Sequence, residues 1–191
     1  MTTEDEFTPA REDCPHPEWW HSEDSQGTEF EVSEMIFGLV RAIQPRLCVE
    51  TGTYTGQTAT AIADALRLNG HGELHTFEIQ PDRATAASER FENDPYVYVH
   101  QAKATHWDIG RPVDFAFIDS ETDVRIEEAD HLTRWLSRDA VVVFHDTRFD
   151  WADVLHDSPL WRCLYLATPR GVTIAQRGLY IQRKAHDWTA S

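Results

Sequence analysis

Short apolar runs alternate with amphipathic stretches along most of the chain. Apolar residues recur at helical spacing over 29–43, and Pro45 ends that pattern. Short runs of apolar or β-branched residues then predict strands at 47–50, 74–78, 96–100, 115–118 and 141–144. Helical patterns lie between them at 57–68, 81–91 and 127–136. Strands separated by helices of this length indicate a parallel sheet with helices on both faces.

The pattern changes in the last quarter of the chain. A helix is predicted over 151–161, and short strands are predicted over 164–167, 172–175 and 179–182. The connections between these strands are only a few residues long and contain Pro169, Gly171 and Gly178. Such short connections require antiparallel pairing. We therefore predict an α/β fold with a doubly wound, mostly parallel sheet and antiparallel C-terminal strands.

The ends of the chain look different from its centre. Residues 1–27 are polar and show no sustained period, so we expect an N-terminal tail or lid. Residues 28–184 are expected to form one domain, followed by a C-terminal tail at 185–191. The acidic N-terminus does not resemble a signal peptide, and no apolar run could span a bilayer, so we expect a cytoplasmic protein that does not contact membranes.

Charge and cysteine content exclude other classes. The net charge of −16 repels a phosphate backbone, which argues against nucleic acid as a partner. The three cysteines are odd in number and scattered, so a disulfide framework is not expected. A small molecule remains the best candidate for a ligand.

A glycine-containing turn follows the first predicted strand. Glu50 ends that strand, and Gly52 and Gly56 lie in the turn before the next helix. Dinucleotide and phosphate loops need glycines where this chain has Tyr54 and Gln57, so neither motif fits. An acid at this position suits a ligand with positive groups, such as the α-ammonium and sulfonium of S-adenosylmethionine.

Four segments at the ends of predicted strands carry a family resemblance: the turn at 50–56, Phe77-Glu78, Phe117-Ile118-Asp119 and Phe144-His145-Asp146-Thr147. Residues 27–184 resemble a class I S-adenosylmethionine-dependent methyltransferase. Within that superfamily they are similar to the small O-methyltransferases of the catechol, caffeoyl-coenzyme A and macrolide-sugar type. The resemblance implies a Rossmann-like, seven-stranded sheet and methyl transfer from S-adenosylmethionine to a hydroxyl of a small metabolite.

The resemblance also implies cofactor contacts. Glu78 is expected to accept hydrogen bonds from the ribose hydroxyls, the glycine turn to contact the methionine part, and the loop at 101–104 to contact adenine. The full set of expected cofactor-binding residues is Glu50, Gly52, Thr53, Tyr54, Thr55, Gly56, Glu78, Ile79, Ala102, Lys103 and Asp119.

Asp119, His145 and Asp146 are the expected catalytic residues. In metal-dependent relatives, the matching positions hold a divalent cation that binds the acceptor hydroxyls. These three residues are therefore candidate ligands for Mg²⁺ or another divalent cation. Alternatively, His145 is a general base without a metal. The chain departs from sugar-directed relatives, because the Asp-x-x-His sequence that often follows their fourth strand reads Asp119-Ser-Glu-Thr122 here.

Two functions stay open at this point. The first is an O-methyltransferase acting on a small hydroxylated metabolite. The second is a catalytically silent, S-adenosylmethionine-binding accessory subunit. The apolar edge strands predicted at 164–167 and 179–182 also lead us to expect a homodimer.

Overall fold

A computed structural model describes residues 14–24, 26–147, 157 and 161–177. Within these residues, seven strands form one mixed sheet in the order β3-β2-β1-β4-β5-β7-β6. The strands are β1 (Leu47–Thr51), β2 (Glu73–Glu78), β3 (Val97–Gln101), β4 (Val113–Ile118), β5 (Leu136–His145), β6 (Trp161–Leu166) and β7 (Val172–Arg177). The helices are α1 (Phe30–Ile43), α2 (Gln57–Asn69), α3 (Pro81–Arg90) and α4 (Arg125–Thr133), with short 3₁₀ turns at Pro17–Trp19 and Ala104–His106.

The sheet has the predicted mixture of directions. Strands β1 to β5 pair in parallel, whereas β7 runs antiparallel between β5 and β6. The predicted fold class is therefore confirmed. Two predicted helix ends were wrong. The helix predicted over 127–136 ends at Thr133, and Leu136 begins β5. Trp161 begins β6 instead of ending the helix predicted over 151–161. The rest of that predicted helix, apart from residue 157, lies outside the described residues. The strand predicted at 179–182 also lies outside them.

The core lies on both faces of the sheet. Every residue of β1 is buried, with Cys48 in one apolar cluster and Leu47 and Val49 in the other. The first cluster packs α1 and α2 against the sheet, and the second packs α4. This two-sided burial explains why the central strands read as short continuous apolar runs. No helix in the described part of the chain is both long and apolar enough to cross a membrane.

The strand order places the site. After β1, the chain builds β2 and β3 on one side and then returns to build β4 and β5 on the other. The carboxyl ends of neighbouring parallel strands meet at one edge, and an open crevice forms where the order reverses. The four strand ends singled out in the sequence therefore converge between β1 and β4.

Candidate functional site

A cavity of about 620 Å³ opens at the carboxyl ends of β1, β2 and β4. Its volume lies within the usual range for small-molecule sites. The expected cofactor-binding residues that line it are Gly52, Thr53, Tyr54, Thr55, Glu78, Ile79, Ala102, Lys103 and Asp119. Glu50, Gly56 and His145 do not line it.

Glu78 is held rigidly at the wall of the cavity. The backbone amides of Tyr54 and Gln80 donate to its two carboxylate oxygens, at 3.0 and 2.8 Å. The side chain is buried, so these two bonds fix its orientation while each oxygen keeps further acceptor capacity. This geometry suits an acceptor for paired hydroxyl groups.

The turn after β1 depends on Gly52. Its φ of +83° is costly for other residues, and a Cβ placed there would lie 2.4 Å from the carbonyl oxygen of Asp119. The missing side chain thus lets the β1 turn pack against the end of β4. Tyr54 also has a positive φ, of 48°, which is a strained conformation of the kind found at binding sites.

Glu50 lies beneath the turn rather than in the cavity. Its side chain is fully buried, and one carboxylate oxygen accepts from the Thr76 hydroxyl at 2.5 Å. The other oxygen, Oε1, has no hydrogen-bond partner among the described residues. Burial raises the pKa of Glu50 to about 8, which keeps the carboxyl group largely protonated at neutral pH. Glu50 therefore does not place the negative charge in the cavity that the sequence led us to expect.

His145, Asp119 and Asp146 come together as the sequence predicted. One candidate ligand atom from each lies within 4.8 Å of the others. His145 is fully buried, with Nδ1 3.0 Å from Asp119 Oδ1 and Nε2 2.6 Å from Glu29 Oε2. Asp146 directly follows β5 and has a φ of 57°, a strained conformation that turns the chain at the cavity wall.

The electrostatics of this cluster favour an imidazolium. Burial alone lowers the pKa of a histidine, but Asp119, Glu29 and Asp146 outweigh it and raise the pKa of His145 to about 10. Each ring nitrogen then carries a proton and donates to a carboxylate. The pKa of Asp146 shifts the other way: burial would raise it, but His145 and two arginines hold it well below its usual range.

A family model described as a methyltransferase domain matches residues 49–147, just over half of the chain. The chain belongs to this methyltransferase family. The match runs from Val49 in β1 to Thr147 just after β5, so it includes Glu78, Asp119, His145 and Asp146. The resemblance to class I methyltransferases drawn from the strand ends is thereby confirmed. The comparison with curated proteins gives no match.

Solved structures of methyltransferases share the fold. The O-methyltransferase TomG from Streptomyces achromogenes, involved in tomaymycin synthesis and crystallised with S-adenosylmethionine, is 19% identical, with 80% of this chain and 82% of that chain covered and a TM-score of 0.66. The methyltransferase PaMTH1 from Podospora anserina, bound to S-adenosylhomocysteine, is 17% identical, with 82% and 80% covered and a TM-score of 0.67. An O-methyltransferase from Bacillus cereus, in complex with S-adenosylhomocysteine, is 17% identical, with 80% and 83% covered and a TM-score of 0.67.

Two arginines in this methyltransferase were missed by the sequence reasoning. Arg125, the first residue of α4, donates to Asp119 and Asp146 at 3.1 and 2.8 Å. Arg170, in the turn between β6 and β7, forms a two-pronged ion pair with Asp146 at 2.5 and 2.9 Å. Both arginines line the cavity.

The segment before α1 is a second feature that the sequence did not reveal. Thr28 donates to Asp119 at 2.9 Å, Glu29 pairs with His145, and Gln26 and Gly27 line the cavity. Residues 26–27, predicted as part of a tail or lid, thus contribute directly to the wall of the site. The helical spacing over 29–43 identified Glu29 only as the start of a predicted helix and gave no sign of its contact with His145.

The three candidate metal ligands do not fit a divalent cation. The carboxylate oxygens that would coordinate it already face the guanidinium groups of Arg125 and Arg170. Both guanidiniums stay charged at any physiological pH, so they would oppose a dication at this position.

Proposed function

We propose that this methyltransferase uses S-adenosylmethionine to methylate a hydroxyl group of a small molecule. The observation that carries the proposal is the cavity at the switch point between β1 and β4, with Glu78 fixed at its wall by two backbone amides. The structural neighbours that were solved with S-adenosylmethionine or S-adenosylhomocysteine support this choice of ligand.

The residues present fit this cofactor. Glu78 would accept hydrogen bonds from the ribose hydroxyls, which an anionic acceptor satisfies well. Ala102 and Lys103 would flank the adenine, and the turn at 52–55 would contact the methionine part. The bound cofactor would supply an electrophilic methyl group to the acceptor, which we place at the part of the cavity lined by Asp119, Glu128 and Asp146, called here the acceptor end.

The acceptor hydroxyl must lose its proton when its oxygen is methylated. We propose that the carboxylate of Glu128 is the general base that takes up this proton. His145 is unsuited to this task, because both of its nitrogens already pair with carboxylates. Glu128 lines the cavity, is buried, and is oriented by the Ser120 hydroxyl. Burial raises the pKa of Glu128, which makes its carboxylate a stronger base than an exposed one.

Cofactor binding is tested by calorimetry. We expect S-adenosylmethionine and S-adenosylhomocysteine to bind and to raise the melting temperature, since a ligand of the folded state stabilises it. Glu78→Ala should weaken binding by about 1 to 3 kcal/mol, the usual cost of a lost hydrogen bond to a charged group. Glu92→Ala, an exposed acid beyond α3, serves as the control and should bind normally. Binding of a nicotinamide dinucleotide in preference to both adenosyl ligands would contradict the proposal.

The role of Glu128 is tested by turnover. Over a panel of hydroxylated acceptors, Glu128→Gln should lower kcat by about 10²- to 10⁴-fold, the usual contribution of a general base, and should leave S-adenosylhomocysteine affinity unchanged. The wild-type rate should rise as pH passes through the raised pKa of Glu128, and the variant should lose that rise. Asp130→Asn, an exposed acid on the same helix, is the control. Full activity in Glu128→Gln would exclude this assignment, and tight cofactor binding without any turnover would favour a silent binding protein.

A further inference from the structure

Positive side chains already occupy the place where a divalent cation was predicted. Arg170 donates through Nε to Asp146 Oδ1 and through Nη2 to Oδ2, and Arg125 Nη2 also reaches Oδ2. Asp119 Oδ1 accepts from Arg125 and His145, while its Oδ2 accepts from Thr28. Each oxygen of both aspartates therefore has at least one donor from the protein.

The two guanidiniums are themselves fixed by backbone carbonyls. Arg125 donates through Nε to the Ser120 carbonyl and through Nη1 to the His145 carbonyl, both at 2.6 Å, and its side chain is only 4% exposed. Arg170 donates through Nη1 to the Gly27 carbonyl at 3.0 Å. Arg125 thus links the ends of β4 and β5, and Arg170 links the end of β5 to the segment before α1.

A cation coordinated by these oxygens would either displace the guanidinium groups or lie directly beside them. Removing one partner from a buried ion pair is strongly unfavourable, because it leaves the other charge unpaired. Here the displaced groups would be cations left beside a dication, which adds repulsion.

We infer that Arg125 and Arg170 take the electrostatic place of a divalent cation, so that the acceptor end of this cavity works without a bound metal. Arg125 and Arg170 are then positioning residues: they hold Asp119 and Asp146 in the geometry that a metal would otherwise impose. The inference rests on the proposed function, because only a methyltransferase site has an acceptor end. Its test measures metal binding and does not depend on turnover.

The first measurement titrates Mn²⁺ into the metal-free wild-type protein and follows binding by electron paramagnetic resonance. We expect no specific binding up to about 1 mM, the weak end of biological cation affinity. Micromolar binding that is lost in Asp146→Asn would overturn the inference. Binding of S-adenosylhomocysteine is measured in parallel, so failure of the cofactor proposal is seen separately.

The second measurement removes the charge of one arginine. Arg170→Ala uncovers Asp146 and should bind Mn²⁺ at least about tenfold more tightly than wild type, as expected when a competing cation is removed. Arg170→Lys keeps the charge and should exclude Mn²⁺ as wild type does. Arg162→Ala, an exposed arginine on β6, is the matched control and should also behave as wild type.

Each outcome of this comparison decides the question. Thermal unfolding first establishes that every variant is folded. A folded Arg170→Ala that binds Mn²⁺ no better than wild type would overturn the inference. Equal gains in Arg170→Ala and Arg170→Lys would do so too, because the loss of charge would then not be the cause.

Discussion

At the scale of single residues, the sequence position of a residue can suggest an active-site role that its burial in the folded protein does not permit. Glu50 and His145 both follow the sequence pattern of an active-site residue, and both are fully buried outside the cavity lining. The carboxyl group of Glu50 holds its proton, whereas the imidazole of His145 gains one. Sequence position reveals neither pKa shift, because the shift of Glu50 comes mainly from burial and the shift of His145 from carboxylates elsewhere in the chain.

Glu50 gives a pH-dependent prediction for stability. Its pKa is raised from 4.5 in the unfolded chain to about 8 in the folded one, so wild-type stability should fall as pH rises between these values. Glu50→Gln is a neutral isostere that can still accept from Thr76 and should not show this fall. Its advantage over wild type should grow through that window to the order of a few kcal/mol above pH 8.

The measurement is chemical denaturation of both proteins between pH 5 and pH 9, about the range that the shift spans. Glu34→Gln, an exposed acid of α1, controls for a general change in charge. Parallel stability curves for wild type and Glu50→Gln would show that Glu50 ionises normally in the folded protein.

At the scale of elements, the sequence was most informative where strands end. Apolar runs predicted β1, β2, β4 and β5, and parallel pairing then required their carboxyl ends to converge. Glu78, the last residue of β2, and Asp119, the residue directly after β4, do line one cavity. Local pattern was enough here because the convergence follows from strand direction alone.

The rest of the site could not be predicted, because it comes from contacts between distant elements. Arg170 lies in a hairpin turn and bonds to Gly27, 143 positions away along the chain. Arg125 lies two residues before the helix predicted at 127–136 and belongs to no motif, although its side chain is buried between two strand ends. The order of the strands brings these arginines to Asp119 and Asp146, and no local motif records that order.

At the scale of the whole molecule, β6 is an edge strand of the sheet within the described part of the chain. Strand β6 pairs with β7 on one side, and no other strand among residues 14–24, 26–147 and 161–177 pairs with its other side. Leu164 on this strand is 58% exposed, so an apolar side chain lies at the open edge. Proteins generally cover or pair such edges, since exposed backbone donors and acceptors recruit other chains.

We therefore predict a homodimer formed by antiparallel pairing of two β6 strands across a two-fold axis, which is the simplest way to satisfy both edges at once. Sedimentation at micromolar concentration should give twice the 22.0 kDa mass of the chain. Leu164→Lys places a charge in the pairing surface and should shift the mass towards the monomer, whereas Leu68→Lys, at an equally exposed leucine of α2, should not. A wild-type mass of 22.0 kDa would refute the dimer, and a dimer that persists in Leu164→Lys would place the interface elsewhere. No residue of β6 itself lines the cavity, so S-adenosylhomocysteine affinity should be the same in the monomeric variant as in the dimer.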